Sequence, residues 1–193
     1  MSLTIVTVVK NDEIGLRQTF ESSYQSDNRL SYLIVTPFDN SETYLLAKSL
    51  SQSNNKVQVV EDSGAGIYSA MNIALEHVKE GDWVWFLNAG DEILRLEDIH
   101  FLLSFLPGLN LNVKSFYFGY LLCESNGEII EERHPAQYFS KYKQLFSRNF
   151  VSHQTFIARL ETLVELGGFD SRYQVASDWD LMSRIASKYP PVR

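Results

Sequence analysis

The chain has 193 residues, 45% of them apolar and 21% charged, with a formal net charge of -7. That length suits one α/β domain with a sizeable core, and the acidic balance excludes nucleic-acid binding through bulk charge. The single cysteine, Cys123, excludes an intrachain disulfide and fits a reducing compartment.

The N-terminus enters a strand at once, over residues 3–9, with neither a basic leader nor a small-residue cleavage site. No apolar run approaches the roughly 18–20 residues that span a bilayer. A cytoplasmic location is expected, with peripheral contact at the inner face of the membrane left open. A helix follows over 12–24, a strand over 30–35, a helix over 41–50, a strand over 57–60, a helix over 67–78 and a strand over 83–87. Strands separated by helical runs of about ten residues predict right-handed crossovers and a mostly parallel sheet.

The second half changes character. A helix over 96–105 stops at Pro107-Gly108. Strands over 113–123 and 128–132 flank Asn126-Gly127, a strong hairpin signal. A strand is predicted over 150–157, then a short helix over 161–166 closed by Gly167-Gly168, then a last helix from near Asp178. The whole reads as one domain, 1–193, with a smaller antiparallel or mixed segment in its second half. Pro190-Pro191 follow soon after the last helix begins, which leaves a continuation beyond Arg193 open.

Four places carry candidate chemistry. The apolar strand 83–87 ends abruptly at Asn88-Ala89-Gly90-Asp91, and open α/β sheets gather ligands at the carboxyl ends of their strands. Asp91 therefore either meets a metal or phosphate there or caps the next element. The stretch Gly64-Ala65-Gly66-Ile67-Tyr68 turns into a helix whose free N–H groups suit an anion. The same turn would also serve as a plain helix start, or as a loose nicotinamide or methyl-donor fingerprint. His153-Gln154 place two polar residues in the strand-like run 150–157, which is costly unless they find partners. They are either satisfied core groups or a metal or substrate contact. Asp178 and Asp180 open the last helix, where residues two apart do not share a face. One of them can enter a cleft as a general base; the other caps, or pairs with Arg184.

Taken in order, these segments resemble the family 2 glycosyltransferases of the GT-A fold, closest to bacterial polysaccharide-assembly members. The family's opening strand is similar to residues 5–12, its D-x-G-I-Y-D-A-M-N to Gly64 through Asn72, and its F-L-N-S-G-D to Phe86 through Asp91. Its H-Q pair, G-G-F-D turn and D-x-D-L helix are matched by His153-Gln154, Gly167-Gly168-Phe169-Asp170 and Asp178-Trp179-Asp180-Leu181. The resemblance implies a single Rossmann-like GT-A domain with a mostly parallel sheet between helices, residues 1–95 binding a nucleotide sugar and 96–193 facing the acceptor. It implies Mg2+ or Mn2+ held by Asp91 and His153, and Asp178 as the base of an inverting transfer. The donor contacts it implies are Thr7, Asn11, Asp39, Gly66, Ile67, Tyr68, Asn72, Asn88, Ala89 and Gly90. The donor would be UDP-linked and the acceptor a glycan or lipid-linked glycan. Thr36, Gly64 and Ser69 stand where the family usually has acids, so a module that binds nucleotide or glycan without transfer is the alternative.

Overall fold

The computed structural model describes residues 2–124, 127–133 and 151–189. Its first half alternates β1 (Leu3–Val8), α1 (Glu13–Ser23), β2 (Leu30–Pro37), α2 (Glu42–Ser53), β3 (Val57–Asp62), α3 (Ile67–His77), β4 (Trp83–Phe86) and α4 (Leu96–Phe105). These four strands are mutually parallel where they pair, in the order β3-β2-β1-β4. Their carboxyl ends therefore share one edge, and that edge collects Asn11, Asp39, the turn 64–66 and the turn 88–91.

The sheet is buried on both faces, which is why β1, β2 and β4 read as nearly unbroken apolar runs. Neighbours along β1 point to opposite sides. Val6 joins Met71 and Leu75 of α3 and Leu181, Met182 and Ile185 near the chain's end. Ile5 joins Leu16 and Phe20 of α1, Ala47 of α2 and Leu103 of α4. Each such side chain taken from water contributes roughly 1.5–3 kcal/mol. The two layers together hold the strand ends rigidly in place.

The second half comprises β5 (Ser115–Tyr117), β6 (Tyr120–Cys123), β7 (Ile129–Arg133), β8 (Phe156–Arg159), α5 (Leu160–Glu165) and α6 (Ser177–Lys188). The strand expected over 113–123 is two. β5 pairs with β8 in the main sheet, whereas β6 and β7 form a separate antiparallel pair. Gly127 of the expected turn has φ 84; Asn126 lies outside the described residues. β8 runs antiparallel to β4, so the main sheet is mixed at this side.

One expectation is corrected here. His153 and Gln154 do not lie in a strand: His153–Thr155 is a 3-10 turn, and β8 begins at Phe156. The turn is fixed by Thr155 N–H bonding Ser152 O at 3.0 Å and by the Trp85 indole N–H bonding Gln154 O at 2.6 Å. Phe150, where that strand was to begin, lies outside the described residues. No helix among the described residues is long and apolar enough to cross a membrane.

Candidate active site

The turn after β4 is held by α1. Thr19 Oγ1 donates to Asn88 O at 3.0 Å and accepts from Gly90 N at 2.9 Å, while Gly90 N also reaches Gly15 O at 3.1 Å. Gly90 takes φ 91, a conformation that glycine adopts without a Cβ penalty. The result delivers Asp91 half-buried beside His153. Burial pushes the Asp91 carboxyl above its ordinary pKa; the His153 charge, a hydrogen bond from Gln154 and the backbone near Asn88 pull the other way without prevailing. Asp91 Oδ2 and Asn88 Oδ1 are buried with no hydrogen-bond partner among the described residues.

His153 joins this turn to the start of α6. Its Nε2 lies 2.8 Å from Asn88 Nδ2, and its Nδ1 lies 2.8 Å from Asp178 Oδ2. Nδ1–H bonds the carboxylate, and the roles at Nε2 and the Asn88 amide follow the protonation of the ring. Asp178 also accepts from the Tyr68 hydroxyl at 3.1 Å. Burial works against the charged Asp178. The hydrogen bond and charge of His153, the Trp179 N–H and the Tyr68 hydroxyl outweigh it, so the carboxyl is held below its usual range. Tyr68, in turn, is pushed up by burial and by the Asp178 charge, which keeps its hydroxyl a donor.

Asp178 does not cap α6. Ala176, at φ 71, precedes the helix, and Leu181, Met182 and Ile185 anchor its inner face. Asp180 points elsewhere and pairs with Arg184 at 2.8 Å, leaving Asp178 alone in the cleft. Together Tyr68, Ser152, His153, Val175, Trp179 and Met182 line an open hollow at the Asp178 carboxylate.

The remaining sequence-selected residues fall into two groups. Asn11 (φ 53), Asp39 and Ile67 are exposed at the carboxyl edge of the sheet. Asp39 accepts from Ser41 N at 3.0 Å, and that contact with Ser41, followed by the Lys10 charge, keeps its carboxyl below the ordinary value. Gly66 opens α3 at φ 114 with no side-chain cap, so the first N–H groups of that helix stay open.

Thr7 and Asn72, by contrast, are committed inside the protein. Thr7 is fully buried, its hydroxyl held between Tyr32 Oη and Leu87 O, each at 2.8 Å. Asn72 donates to Phe169 O at 2.7 Å and accepts from Phe169 N at 2.8 Å. Ala89 packs partly buried against the α1 side of the core. Thr36 is buried with its hydroxyl unpartnered among the described residues. Thr19, which holds the β4 turn, carries no signal in the sequence beyond its place in a helix.

The donor set suits a hard divalent cation. Two bare oxygens, Asp91 Oδ2 and Asn88 Oδ1, match the oxygen preference of Mg2+ and Mn2+. His153 has the carboxylate-backed imidazole common to metal ligands, although its Nε2 is spent on Asn88 as the residues stand. Among the described residues no group of three or more His, Cys, Asp or Glu forms a metal cage.

The mostly parallel central sheet packed by helices, with a small antiparallel pair beside it, is the architecture of the GT-A fold. The profile described as glycosyl transferase family 2 matches residues 4–106, more than half of the chain, and the chain belongs to that family. Two uncharacterized glycosyltransferases from strains of Mycobacterium tuberculosis are each 23% identical over 193 residues, covering 99% of this chain and 71% of theirs.

Among solved structures, a mannosyltransferase from Pyrobaculum calidifontis in complex with GDP-Man and Mn2+ is 14% identical. It covers 97% of this chain and 52% of that one, with a TM-score of 0.69. The S. aureus protein TarS (residues 1–349) in complex with UDP-GlcNAc is 16% identical, covering 94% of this chain and 52% of that one, with a TM-score of 0.70. The chain thus spans about half the length of these solved relatives, and at such identities the likeness is one of fold.

Proposed function

We propose that this chain forms the core of an inverting, divalent-metal-dependent glycosyltransferase. It moves a sugar from a nucleotide diphosphate donor, UDP-linked, to a glycan or lipid-linked acceptor in polysaccharide assembly. The observation that carries this reading is the group Asp91, His153 and Asp178, in which a half-buried acid with one unpartnered oxygen and an acid held below its usual pKa range share one imidazole as neighbour. Residues 1–95 hold the donor and 96–193 face the acceptor. Work at the cytoplasmic face of a membrane fits a lipid-linked acceptor.

Each residue has a task. The open N–H groups of α3 beyond Gly66 receive phosphate oxygens, and Asn11 and Asp39 lie along the edge where the nucleoside extends. Asp91, Asn88 and His153 would hold Mg2+ or Mn2+, which when bound compensates the charge left on the departing diphosphate. Compensation is needed: two unit charges 4 Å apart interact by roughly 4 kcal/mol at an effective dielectric near 20, and the chain's own net charge is -7. Asp178 accepts the proton of the acceptor hydroxyl in the hollow before it. The freed oxygen forms the new bond to the anomeric carbon as the bond to the diphosphate breaks with its electron pair. A single displacement inverts that carbon.

The reading is tested by a thermal-shift panel of UDP- and GDP-sugars, NAD and S-adenosylmethionine, each with and without Mn2+. Stabilisation by a UDP-sugar that requires Mn2+ and is lost in Asp91→Ala is the expected result. Stabilisation by NAD or S-adenosylmethionine alone overturns it. Thr36, Gly64 and Ser69 in place of acids favour a second reading, a module that binds without transferring. Donor binding with no UDP release in the presence of Mn2+ and any acceptor tried decides for that one.

A further inference from the structure

The start of α3 meets the start of α6 at the Tyr68 hydroxyl, which donates to Asp178 Oδ1 at 3.1 Å, across 110 residues of sequence, and also meets the backbone of Ala176 and Ser177. The Tyr68 ring does not hang free. It stacks on Phe169 at 5.9 Å between centroids, with 16° between planes. Phe169 is buried and packs edge-on against Phe86, the last residue of β4, at 5.1 Å. Its backbone is clamped to α3 by Asn72, which bonds both its O, at 2.7 Å, and its N–H, at 2.8 Å. The approach is so close that a Cβ on Gly168 would stand 2.5 Å from Asn72 Oδ1. One turn of α3 thus grips the Gly167-Gly168-Phe169 turn and carries a hydroxyl to the carboxylate.

We infer that Tyr68, braced by Phe169 and Asn72, is a positioning residue that sets the orientation of the Asp178 carboxylate for proton transfer, rather than a contact to the nucleotide sugar. The inference rests on the role proposed above for Asp178. A carboxylate held at one oxygen by His153 Nδ1 and at the other by Tyr68 cannot rotate about its Cβ–Cγ bond without losing a hydrogen bond. Its remaining lone pairs are then aimed at one place in the hollow. Fixing that direction matters because small misplacements of a reacting group cost rate steeply, about 10²-fold for a shift near 1 Å. Removing the hydroxyl leaves the ring stack and the Asn72 clamp in place, and the melting temperature of Tyr68→Phe checks that the fold is kept.

The experiment is a double-mutant cycle of Tyr68→Phe and Asp178→Asn. Donor affinity is read by calorimetry with UDP and Mn2+. Turnover is read as Mn2+-dependent release of UDP from the UDP-sugar that shifts the melting temperature most. The expected result is that Tyr68→Phe leaves UDP affinity unchanged and lowers kcat about 10–10²-fold in the parent chain. In the Asp178→Asn background the same change has no further effect on kcat, because the hydroxyl acts through the carboxylate that is gone. Weakened UDP binding with kcat retained makes Tyr68 a donor contact and overturns the inference. Equal kcat losses in both backgrounds overturn it as well, since a general structural defect adds where a shared mechanism does not. Full turnover by Asp178→Asn alone, or none by the parent chain, ends the underlying reading first and this one with it.

Discussion

The imidazole Nδ1 of His153 lies 2.8 Å from Oδ2 of Asp178, and this pair closes the gap between the end of β4 and the start of α6. Through the other ring nitrogen, 2.8 Å from Asn88 Nδ2, the contact extends to the turn that carries Asp91. Two acids with opposite tendencies therefore share one neighbour. Asp178 is held ionised by that neighbour, while Asp91 is pushed toward its neutral form by burial. That separation suits the roles proposed for them, one group to take a proton and one to meet a cation.

Replacing Asp178 by Asn removes the proton acceptor while keeping an oxygen that can face His153. The expected loss in kcat is about 10²–10⁴-fold, the usual worth of a positioned general base. UDP release under saturating donor and Mn2+ measures it. Turnover at the parent rate contradicts the assignment.

His153→Ala strips Asn88 and Asp178 of a shared partner. With its Nε2 on Asn88, His153 supports the oxygens of the β4 turn from behind, and loss of such outer-shell support costs about 10–100-fold in metal affinity or activity. A Mn2+ titration at fixed UDP is expected to shift to higher metal concentration by that factor. An unchanged titration restricts His153 to packing.

The two acids give opposite stability–pH slopes in the metal-free protein. Asp178 has a folded pKa below its unfolded value, so its contribution is present above the unfolded pKa and is lost as pH falls through the folded one. Asp91 has a folded pKa above its unfolded value. The folded state then binds the extra proton, and stability from this group falls as pH rises from the unfolded to the folded pKa. Metal-free Asp91→Asn is accordingly expected to melt higher than the parent at neutral pH, and Asp178→Asn lower. Thermal melts from about pH 2 to pH 8, which take in the window below the ordinary carboxylate value for Asp178 and the window above it for Asp91, decide the signs.

Gly167 and Gly168 both take positive φ, 83 and 65, but only at Gly168 does an added Cβ meet a neighbour, Asn72 Oδ1 at 2.5 Å. Gly168→Ala should therefore destabilise by about 1–3 kcal/mol from strained backbone, plus the loss of the Asn72 clamp. Gly167→Ala carries the backbone strain alone. Denaturant unfolding that ranks the two equally would remove the Asn72 contact from the account.

Much of this was legible in the residues. The four parallel strands announce themselves as short apolar runs with helical patterns between them, and the turn after β4 as an acid following a glycine. The spacing of Asp178 and Asp180 separates their directions on one helix, and Asp180 indeed pairs with Arg184. Other features were hidden for physical reasons. The run around His153 has the composition of a strand, and the 3-10 turn there arises from the Trp85 indole bonding Gln154 O, a contact between distant segments. Thr7 lies in a strand and is implied as a donor contact, yet Tyr32 and Leu87 close over its hydroxyl. Asn72 sits in a motif that suggests a ligand, yet its partner is Phe169, 97 residues away. Local pattern carries no information about such pairings.

The central claim is that Asp91 serves the donor and its metal whereas Asp178 serves the proton. Calorimetric titration of UDP in the presence of Mn2+ into Asp91→Asn and Asp178→Asn, side by side with the parent, tests it most directly. Parent-like binding by Asp178→Asn together with lost binding by Asp91→Asn is the predicted result. Equal affinity in the two variants contradicts the division of labour.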